Sequence, residues 1–327
     1  MRIILAPMEG VVDHIMRDLL TRIGGIDICV TEFIRVSDQL LPPRVFYRYC
    51  PELEQQCRTP AGIPVVLQLL GGNPTLMAEN AARAAELGAP AIDINFGCPA
   101  KTVNRHDGGA SLLRFPDRLH NIVSAVRAAV PASIPVTAKI RLGFDDTSLA
   151  IDNACAVESG GANEVTIHGR TKRDGYKPPA YWDWIGRIRE QLSINVIANG
   201  EIWSLSDYDR CLAESGCRDV MIGRGLIRFP DLGRRIKQHQ NSAPQDDPID
   251  VFEVLYDFFI ASQREQKSPR YLTDRTKQWS SLLGIGNPQA MAFFQDIKRD
   301  TCAQTILAKI ERRISAQRLS SPVSPHS

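Results

Sequence analysis

A chain of 327 residues with 43% hydrophobic and 23% charged residues has the composition of a soluble globular protein and can form one large domain plus a smaller one. Its net charge of +2 is too small to indicate a nucleic-acid binder by itself, although the residues from Asp250 onward carry a mild basic excess. The eight cysteines are scattered, without a C-x-x-C pair or a Cys/His cluster at zinc spacing, so we expect buried thiols in a reducing compartment and no metal site. Because we find neither a signal-peptide pattern nor an apolar run of membrane-spanning length, we expect a cytoplasmic protein without membrane contact.

Eight short aliphatic or β-branched runs recur through the first two thirds of the chain. Helical patterns lie between most of them: one is opened by Asn73 and Pro74 and closed by Gly88, and others end at Gly160-Gly161 and at Gly216. Runs that are apolar almost throughout are typical of parallel strands buried on both faces. The eight predicted strands cover residues 2–8, 28–33, 65–70, 91–97, 136–143, 164–169, 195–200 and 219–225.

Eight strand–helix units at this spacing predict an α/β fold, the TIM (β/α)8 barrel. A doubly wound sheet is the alternative. It would usually have fewer strands and a G-x-G-x-x-G turn after the first one, where this chain has "APMEG" (6–10).

The pattern changes after residue 225. A linker is indicated by "PQDDP" (244–248), and apolar stripes at helical spacing follow within 251–259 and 306–314, with a third helix plausible over 273–283. The last residues have little to bury. We therefore predict a catalytic barrel over 1–244, a small C-terminal helical domain over 245–314 and a disordered tail over 315–327.

Polar residues are concentrated where the predicted strands end. In a TIM barrel these ends form the active site, because all strands point the same way. Any one of these residues could be a buried polar group with a local partner. A packed core does not explain the whole set, which includes Met8, Glu9, Glu32, Arg35, Gln68, Asn95, Cys98, Lys139, Arg141, His168, Arg170, Asn199, Glu201, Gly223 and Arg224.

Two of these ends have features of a phosphate site. TIM barrels often bind phosphate on backbone N–H groups after the last two strands, here "ANGEI" (198–202) and "IGRG" (222–225), where Arg224 can add a charge-assisted bond. Combined with the Gln68 amide and the Lys139 ammonium, a phosphate site suggests flavin mononucleotide (FMN). The amide would bond the ring edge, and the lysine would stabilise negative charge on the reduced ring.

With these positions in hand, the chain resembles the tRNA-dihydrouridine synthases. The blocks "TEFIRVSDQLLP" (31–42) and "RTKQW" (275–279) look most like the C-type bacterial branch, which modifies the uridine at position 16 of tRNA. The blocks that match the family in order are "APMEGVVD" (6–13), "VLQLLG" (66–71), "DINFGCPAKTV" (93–103), "AKIRLG" (138–143), "VTIHGRT" (165–171), "IANGEI" (197–202) and "VMIGRG" (220–225).

The resemblance implies a two-step oxidoreductase in which NADPH reduces FMN and the flavin N5 then gives a hydride to C6 of uridine. Cys98 would protonate C5 as general acid, flanked by Gly97 and Pro99, which fix the backbone around the thiol. The other seven cysteines are expected to be inert. The family's flavin site maps onto Pro7, Met8, Glu9, Gln68, Lys139, His168, Asn199, Gly200, Glu201, Gly223 and Arg224.

The target base must leave its stack to reach a flavin inside a barrel, so the protein must hold the tRNA elsewhere as well. On the substrate side the resemblance implies Asn95, Arg141 and Tyr176. For the tRNA itself it implies loop residues Arg35, Lys101, Arg170, Lys172, Arg173 and Lys177, and helical-domain residues Arg275, Lys277 and Trp279. About half of these charges are expected to be ordinary solvated side chains. We expect a monomer with no protein partner, since the tRNA-facing surface must stay free.

One block departs from the family pattern. After the N-x-G-C-P block the family often has three glycines, whereas this chain has "NRHDGGA" (104–110), with Asp107 in place of the first. Two other functions stay open at this stage: an FMN-dependent barrel acting on a small pyrimidine or enone, and a non-enzymatic RNA-binding protein. The basic helical domain argues against the first, and the intact set of strand-end residues argues against the second.

Overall fold

The computed structural model describes residues 1–105, 107–246 and 248–320. Eight of its strands pair in parallel around a closed ring, since β1 bonds to both β2 and β9 while β2 also bonds to β4. The TIM-barrel prediction is confirmed. Strand β3 is an addition of two residues that extends the sheet beside the upper end of β4. The strands are β1 Ile3–Leu5, β2 Ile28–Val30, β3 Ile34–Arg35, β4 Val65–Leu70, β5 Ile92–Asn95, β6 Val136–Arg141, β7 Glu164–His168, β8 Asn195–Asn199 and β9 Asp219–Ile222.

Helices follow the strands and surround the barrel. Those of the barrel domain are α1 His14–Ile23, α2 Pro43–Tyr49, α3 Pro74–Glu86, α4 Lys101–Arg105, α5 Pro116–Ala129, α6 Ala150–Ser159, α7 Trp182–Arg189, α8 Leu205–Ser215, α9 Arg224–Arg228 and α10 Leu232–Gln240, with 3-10 turns over Pro51–Gln55 and Gly109–Arg114. The predicted helix starts and ends are confirmed at α3, α6 and α8. Asn73 caps α3 by accepting a hydrogen bond of 3.0 Å from the Leu76 N–H, and α8 ends at Gly216 in the left-handed conformation.

Alternation along the strands decides what faces the inside of the barrel. Successive side chains on a strand point to opposite faces. The outward positions are aliphatic and join one large core with the helices, as at Ile3 and Leu5. The inward positions carry a small apolar layer that includes Ile4, Ile197 and Met221, and polar residues lie toward both strand ends. The fold thus isolates polar side chains inside a shell of aliphatic ones.

The C-terminal domain consists of α11 Val251–Arg264, α12 Pro269–Gly284, α13 Pro288–Ile297 and α14 Ala303–Ser320. Its core includes the edge-on pairs Phe252–Phe293 and Phe258–Trp279, with ring centroids 5.4 and 5.3 Å apart. The domain packs on the barrel through α11 against α1 and α12 against α9. None of the helices in the described part of the chain is long and apolar enough to cross a membrane.

The predicted disordered tail begins too early. Residues 315–320 continue α14 as helix, and the Arg318 guanidinium there lies 3.0 Å from the Glu253 carboxylate of α11. Ala316, Gln317 and Leu319 are good helix formers, so the helix can outlast its apolar stripe. Residues 321–327 of that predicted tail lie outside the described residues, as does Asp247 of the predicted linker.

Candidate active site

A cavity of about 550 Å³ opens at the carboxyl ends of the barrel strands. It is of the size that proteins use for cofactors and small ligands. The fold brings fifteen of the residues expected at the site into its wall: Pro7, Met8, Glu9, Gln68, Asn95, Cys98, Lys139, Arg141, His168, Tyr176, Asn199, Gly200, Glu201, Gly223 and Arg224.

Cys98 lies in the loop after β5, with a side chain that is only 9% exposed. The Asn95 Oδ1 atom accepts hydrogen bonds of 2.9 Å from the backbone N–H groups of Gly97 and Cys98, which bends the loop back over the strand end. Gly109 lies so close that a Cβ there would come within 2.9 Å of the Cys98 carbonyl oxygen. Burial raises the pKa of the Cys98 thiol, against the opposing effects of the Ala100 backbone N–H and the Arg141 and Arg35 charges. The thiol is therefore held in its protonated form.

Lys139 projects from β6 into the same cavity. Its ammonium donates a hydrogen bond of 3.0 Å to the Asn199 Oδ1, while the Asn199 Nδ2 donates to the Met221 carbonyl at 2.8 Å. Burial, reinforced by the Arg141 charge, lowers the pKa of Lys139 to about 7. A lysine in this state gains a proton readily when negative charge comes close.

His168 ends β7 and is surrounded by cations. Burial and the charges of Arg141, Lys139, Arg170 and Arg224 hold its pKa well below the usual histidine range, so the ring is neutral. Its Nε2 lies 3.2 Å from the Arg170 Nη1. Because a guanidinium can only donate, Nε2 is the acceptor and the proton belongs on Nδ1.

Glu201 bridges two of these arginines after β8. Its carboxylate lies 2.7 Å from the Arg170 and 3.1 Å from the Arg224 guanidinium. At the neighbouring Gly200, with φ of +122°, a Cβ would come within 3.0 Å of the His168 ring, so this turn requires glycine. Cationic side chains outnumber the carboxylates of Glu9 and Glu201 along the cavity wall, which suits an anionic ligand.

Arg141 connects the loops after β5 and β7 at the mouth of the cavity. It is buried and donates hydrogen bonds to the carbonyl oxygens of Gly97 at 2.8 Å, Gly175 at 3.0 Å and Thr171 at 3.1 Å. Its guanidinium also lies 5.3 Å from the centre of the Tyr176 ring, which is largely exposed. Arg141 therefore fixes the loops around the cavity while facing whatever enters it.

The residues expected to hold tRNA fall into two groups. Lys101 is exposed at the start of α4, and Arg35 and Lys277 are half-buried, so these three are available to a partner. Two others are not. The prediction that Trp279 binds tRNA is wrong, because its side chain is 1% exposed and its Nε1 donates to the Ile227 carbonyl at 2.8 Å. Arg170 is also fully buried, held by Glu201 and by the carbonyl oxygens of Lys177 and Pro179.

Arg275 joins the helical domain to the loop after β1. Its guanidinium donates to the carbonyl oxygens of Gly10 and Val11, both at 2.5 Å, and lies 3.6 Å from the Asp13 carboxylate. Tyr271 of the same helix donates to Asp13 as well, in a short hydrogen bond. The side chain expected to grip tRNA is thus engaged in holding a loop that lines the cavity.

The departure at Asp107 has a local explanation. Asp107 adopts the left-handed conformation, with φ of +57°, where glycine has no steric penalty. Arg118 donates two hydrogen bonds of 2.6 Å to its carboxylate. Aspartate tolerates this conformation better than most residues, and the bidentate pair fixes it. His106, also in this departing segment, lies outside the described residues.

The sequence reasoning missed several lining residues. Trp203 comes directly after the "ANGEI" block, and its ring lies 5.0 Å from the Arg224 guanidinium. Phe33 and Leu282 also line the cavity, the latter from α12. The position of Trp203 next to a strand end was a usable signal. An apolar residue on a helix, such as Leu282, gives no sign that it faces a cavity.

Comparisons with known proteins identify the family of this chain. The protein-family model described as "Dihydrouridine synthase (Dus)" matches residues 4–303. Two curated relatives carry the name tRNA-dihydrouridine(16) synthase: one from Pseudomonas putida, 51% identical over 93% of this chain and 95% of the relative, and one from Shewanella oneidensis, 50% identical over 95% and 98%. A solved structure of morphinone reductase superposes with a TM-score of 0.52 at 14% identity, covering 76% of this chain and 87% of that one. At that identity it shows the barrel fold alone. The chain belongs to the dihydrouridine synthase family.

Proposed function

We propose that this protein reduces the C5=C6 bond of a uridine in tRNA to 5,6-dihydrouridine, and that the uridine is the one at position 16. Membership of the dihydrouridine synthase family supports the reaction, and the names of relatives about 50% identical over nearly their whole length support the position. The observation that carries the assignment is a protonated thiol, Cys98, in one cavity with the cations and amides of a flavin site. Family membership makes the protein an oxidoreductase that uses FMN and takes its electrons from NADPH.

The residues of the cavity fit FMN. Arg224 and the backbone around Gly200 and Gly223 offer donors for the phosphate. Among the residues that the structure describes, the Gln68 Nε2 donates one of its two hydrogens, to Asp93, which leaves the other for the ring edge. When bound and reduced, the flavin supplies the hydride for C6 of uridine.

The chain itself supplies the proton. Reduction at C6 leaves negative charge on C5 and O4 of the base, and a neutral thiol can neutralise it by transferring its proton to C5. The raised pKa of Cys98 serves this role, since a thiolate would have no proton to give. The half-buried loop charges and Lys101 would act outside the cavity, on tRNA phosphates. We further propose that the protein acts as a cytoplasmic monomer, which leaves this rim open to tRNA.

The experiment is to incubate the protein with FMN, NADPH and tRNA from cells that lack dihydrouridine, and to locate the gain of two hydrogens by mass spectrometry of tRNA fragments. We expect reduction at position 16 and a loss of about 10²–10⁴-fold in rate in Cys98→Ala, because the general acid is gone. Cys302→Ala, at an exposed cysteine outside the cavity, is the matched control and should keep the full rate.

Reduction at another position would overturn the assignment of position 16 alone. A reduced flavin that ignores tRNA and is reoxidised by a small enone would replace the whole proposal with a small-molecule reductase.

A further inference from the structure

A carboxylate lies buried beneath the proposed active site. Asp93 is on β5, two residues before Asn95 and therefore on the same inward face, and it is 3% exposed. Both of its oxygens accept hydrogen bonds of 2.6 Å, one from the Gln68 Nε2 and one from the Thr137 Oγ1. Asp93 itself does not line the cavity, whereas Gln68 and Asn95 do.

A chain of hydrogen bonds leads from this carboxylate to the thiol loop. Gln68, which donates to Asp93, accepts through its Oε1 from the Asn95 Nδ2 at 2.8 Å. Asn95 in turn accepts through its Oδ1 from the backbone N–H groups of Gly97 and Cys98 at 2.9 Å. The three side chains are each at least nine-tenths buried. We call this series, Asp93–Gln68–Asn95–Cys98 N–H, the amide relay.

Both ends of the amide relay require the same direction. Backbone N–H groups can only donate, so Asn95 must present its oxygen to the loop and its NH2 to Gln68. Burial raises the pKa of Asp93, against the opposing effects of the Gln68 and Thr137 hydrogen bonds and the Lys139 charge. With its carboxylate ionised, Asp93 can only accept, so Gln68 must present its NH2 to Asp93 and its oxygen to Asn95. Without Asp93 as its acceptor, the Gln68 amide could rotate. The Asn95 NH2 would then face the Gln68 NH2 instead of the Gln68 oxygen that accepts from it now.

We propose that Asp93 is a positioning residue: as the terminal acceptor of the amide relay it orients Gln68 toward the cofactor and, through Asn95, holds the loop that carries Cys98. Each of the two buried amides has one orientation in which all of its hydrogen bonds are made. Removing the Asp93 acceptor therefore also loosens the loop that carries Cys98. This inference rests on the proposed function for the role of the thiol, but the geometry of the relay does not depend on the substrate.

The test compares three variants by two readouts. Asp93→Ala removes the acceptor, whereas Asp93→Asn keeps an oxygen for Gln68 and an NH2 that can donate to Thr137. Asp219→Ala is the matched control, because Asp219 is an equally buried carboxylate on β9 at the opposite end of the barrel. The first readout is labelling of each cysteine by a maleimide in the flavin-free protein, measured by mass spectrometry. The second is the single-turnover rate of uridine reduction by the prereduced enzyme, together with KM for tRNA.

We expect Asp93→Ala to raise the labelling rate of Cys98 relative to the exposed Cys302, while the buried Cys29, Cys50 and Cys57 stay unlabelled. Its single-turnover rate should fall about 10–100-fold with KM for tRNA unchanged, since the acid is displaced and the tRNA surface is not. Asp93→Asn should lie between Asp93→Ala and the wild type in both readouts, and Asp219→Ala should match the wild type in both.

Labelling of Cys98 at the wild-type rate in Asp93→Ala would overturn the proposal. So would simultaneous labelling of the buried cysteines, because it would indicate general loosening of the protein. An Asp93→Asn variant as impaired as Asp93→Ala would overturn it too. A wild-type protein that reduces no uridine would refute the proposed function, and the labelling readout would still decide the relay.

Discussion

The two ends of the barrel carry polar networks of opposite character. At the amino ends of the strands, Arg2 lies 2.5 Å from the Glu164 and 2.6 Å from the Asp219 carboxylate, and the Asn195 amide donates to both of these acids. Each of these three charges faces an opposite one. At the carboxyl ends, Lys139 and the arginines of the cavity surround a neutral histidine with few carboxylates among them.

This difference shows how one fold divides stability from chemistry. The paired charges at the amino end stabilise the closed barrel, and their charges are neutralised by one another instead of by a ligand. Burial, reinforced by the neighbouring cations at the carboxyl end, lowers the pKa of both Lys139 and His168. The excess of cations along the cavity wall suits an anionic ligand such as the proposed flavin phosphate.

Among the changes that test this contrast, the largest effect on cofactor binding is expected at Lys139. Lys139→Met should weaken FMN binding about 10–100-fold, because the charge-assisted hydrogen bond that the Lys139 ammonium would make to the flavin is lost. In the wild type the pKa of Lys139 is lowered to about 7, so the ammonium is lost as pH rises through that value, and FMN affinity should decline between pH 7 and 9. Flavin fluorescence titrations of the apoprotein at several pH values measure both effects.

The matched control for this titration is Lys237→Met, at a lysine that pairs with Asp27 at 2.7 Å near the amino end of the barrel. It should bind FMN as the wild type does. An FMN affinity of Lys139→Met that equals the wild type at pH 7 would contradict the electrostatic contrast between the two ends.

At the amino end we expect a loss of stability instead of a loss of cofactor binding. Asp219→Ala leaves Arg2 and Asn195 without one acceptor each, and we expect the free energy of unfolding to fall by about 2–3 kcal/mol, since one partner of a largely buried pair is removed. Chemical denaturation measures the loss, and uridine reduction by the folded variant should be unchanged. A slowed reaction without a loss of stability would show that the two ends are not separate in function.

The smallest effect is expected where the helical domain meets the cavity. Arg275→Met removes the hydrogen bonds to Gly10 and Val11, so the loop after β1 should become less ordered. Because this loop lines the cavity, FMN affinity should fall about 3–10-fold. Arg270→Met, at a largely exposed arginine of the same helix, is the control and should bind FMN normally. A rise in KM for tRNA with unchanged FMN affinity would instead restore Arg275 to the role that its sequence block suggests.

The fold was predictable because buried parallel strands appear in the sequence as short aliphatic runs. Eight aliphatic runs with capped helices between them admit few other arrangements, and polar residues that end such runs must meet at one end of a barrel. Helix α13 was not anticipated, although "PQAMAFFQDI" (288–297) places Ala290, Phe293 and Ile297 at helical spacing on a buried face. The members of the site could be predicted from the sequence because they all lie at strand ends, and the barrel brings these ends together.

The direction of individual side chains could not be predicted. Arg170 and Trp279 fall in a loop and a helix with other polar residues, and nothing in the sequence shows that both point inward. Their burial depends on partners far along the chain: a carboxylate after β8 for Arg170 and a carbonyl of α9 for Trp279. The role of Asp93 was hidden for the same reason, since its partners lie on two other strands.

The joint between α12 and the barrel constrains how such proteins can be recombined. Leu282 of α12 forms part of the cavity wall, and Arg275 and Tyr271 of the same helix hold the loop after β1. A chimera that takes its helical domain from a distant relative would therefore bring a foreign piece of the cavity wall with it. The loop after β1 and helix α12 must be inherited as a matched pair, although more than 250 residues separate them in the chain.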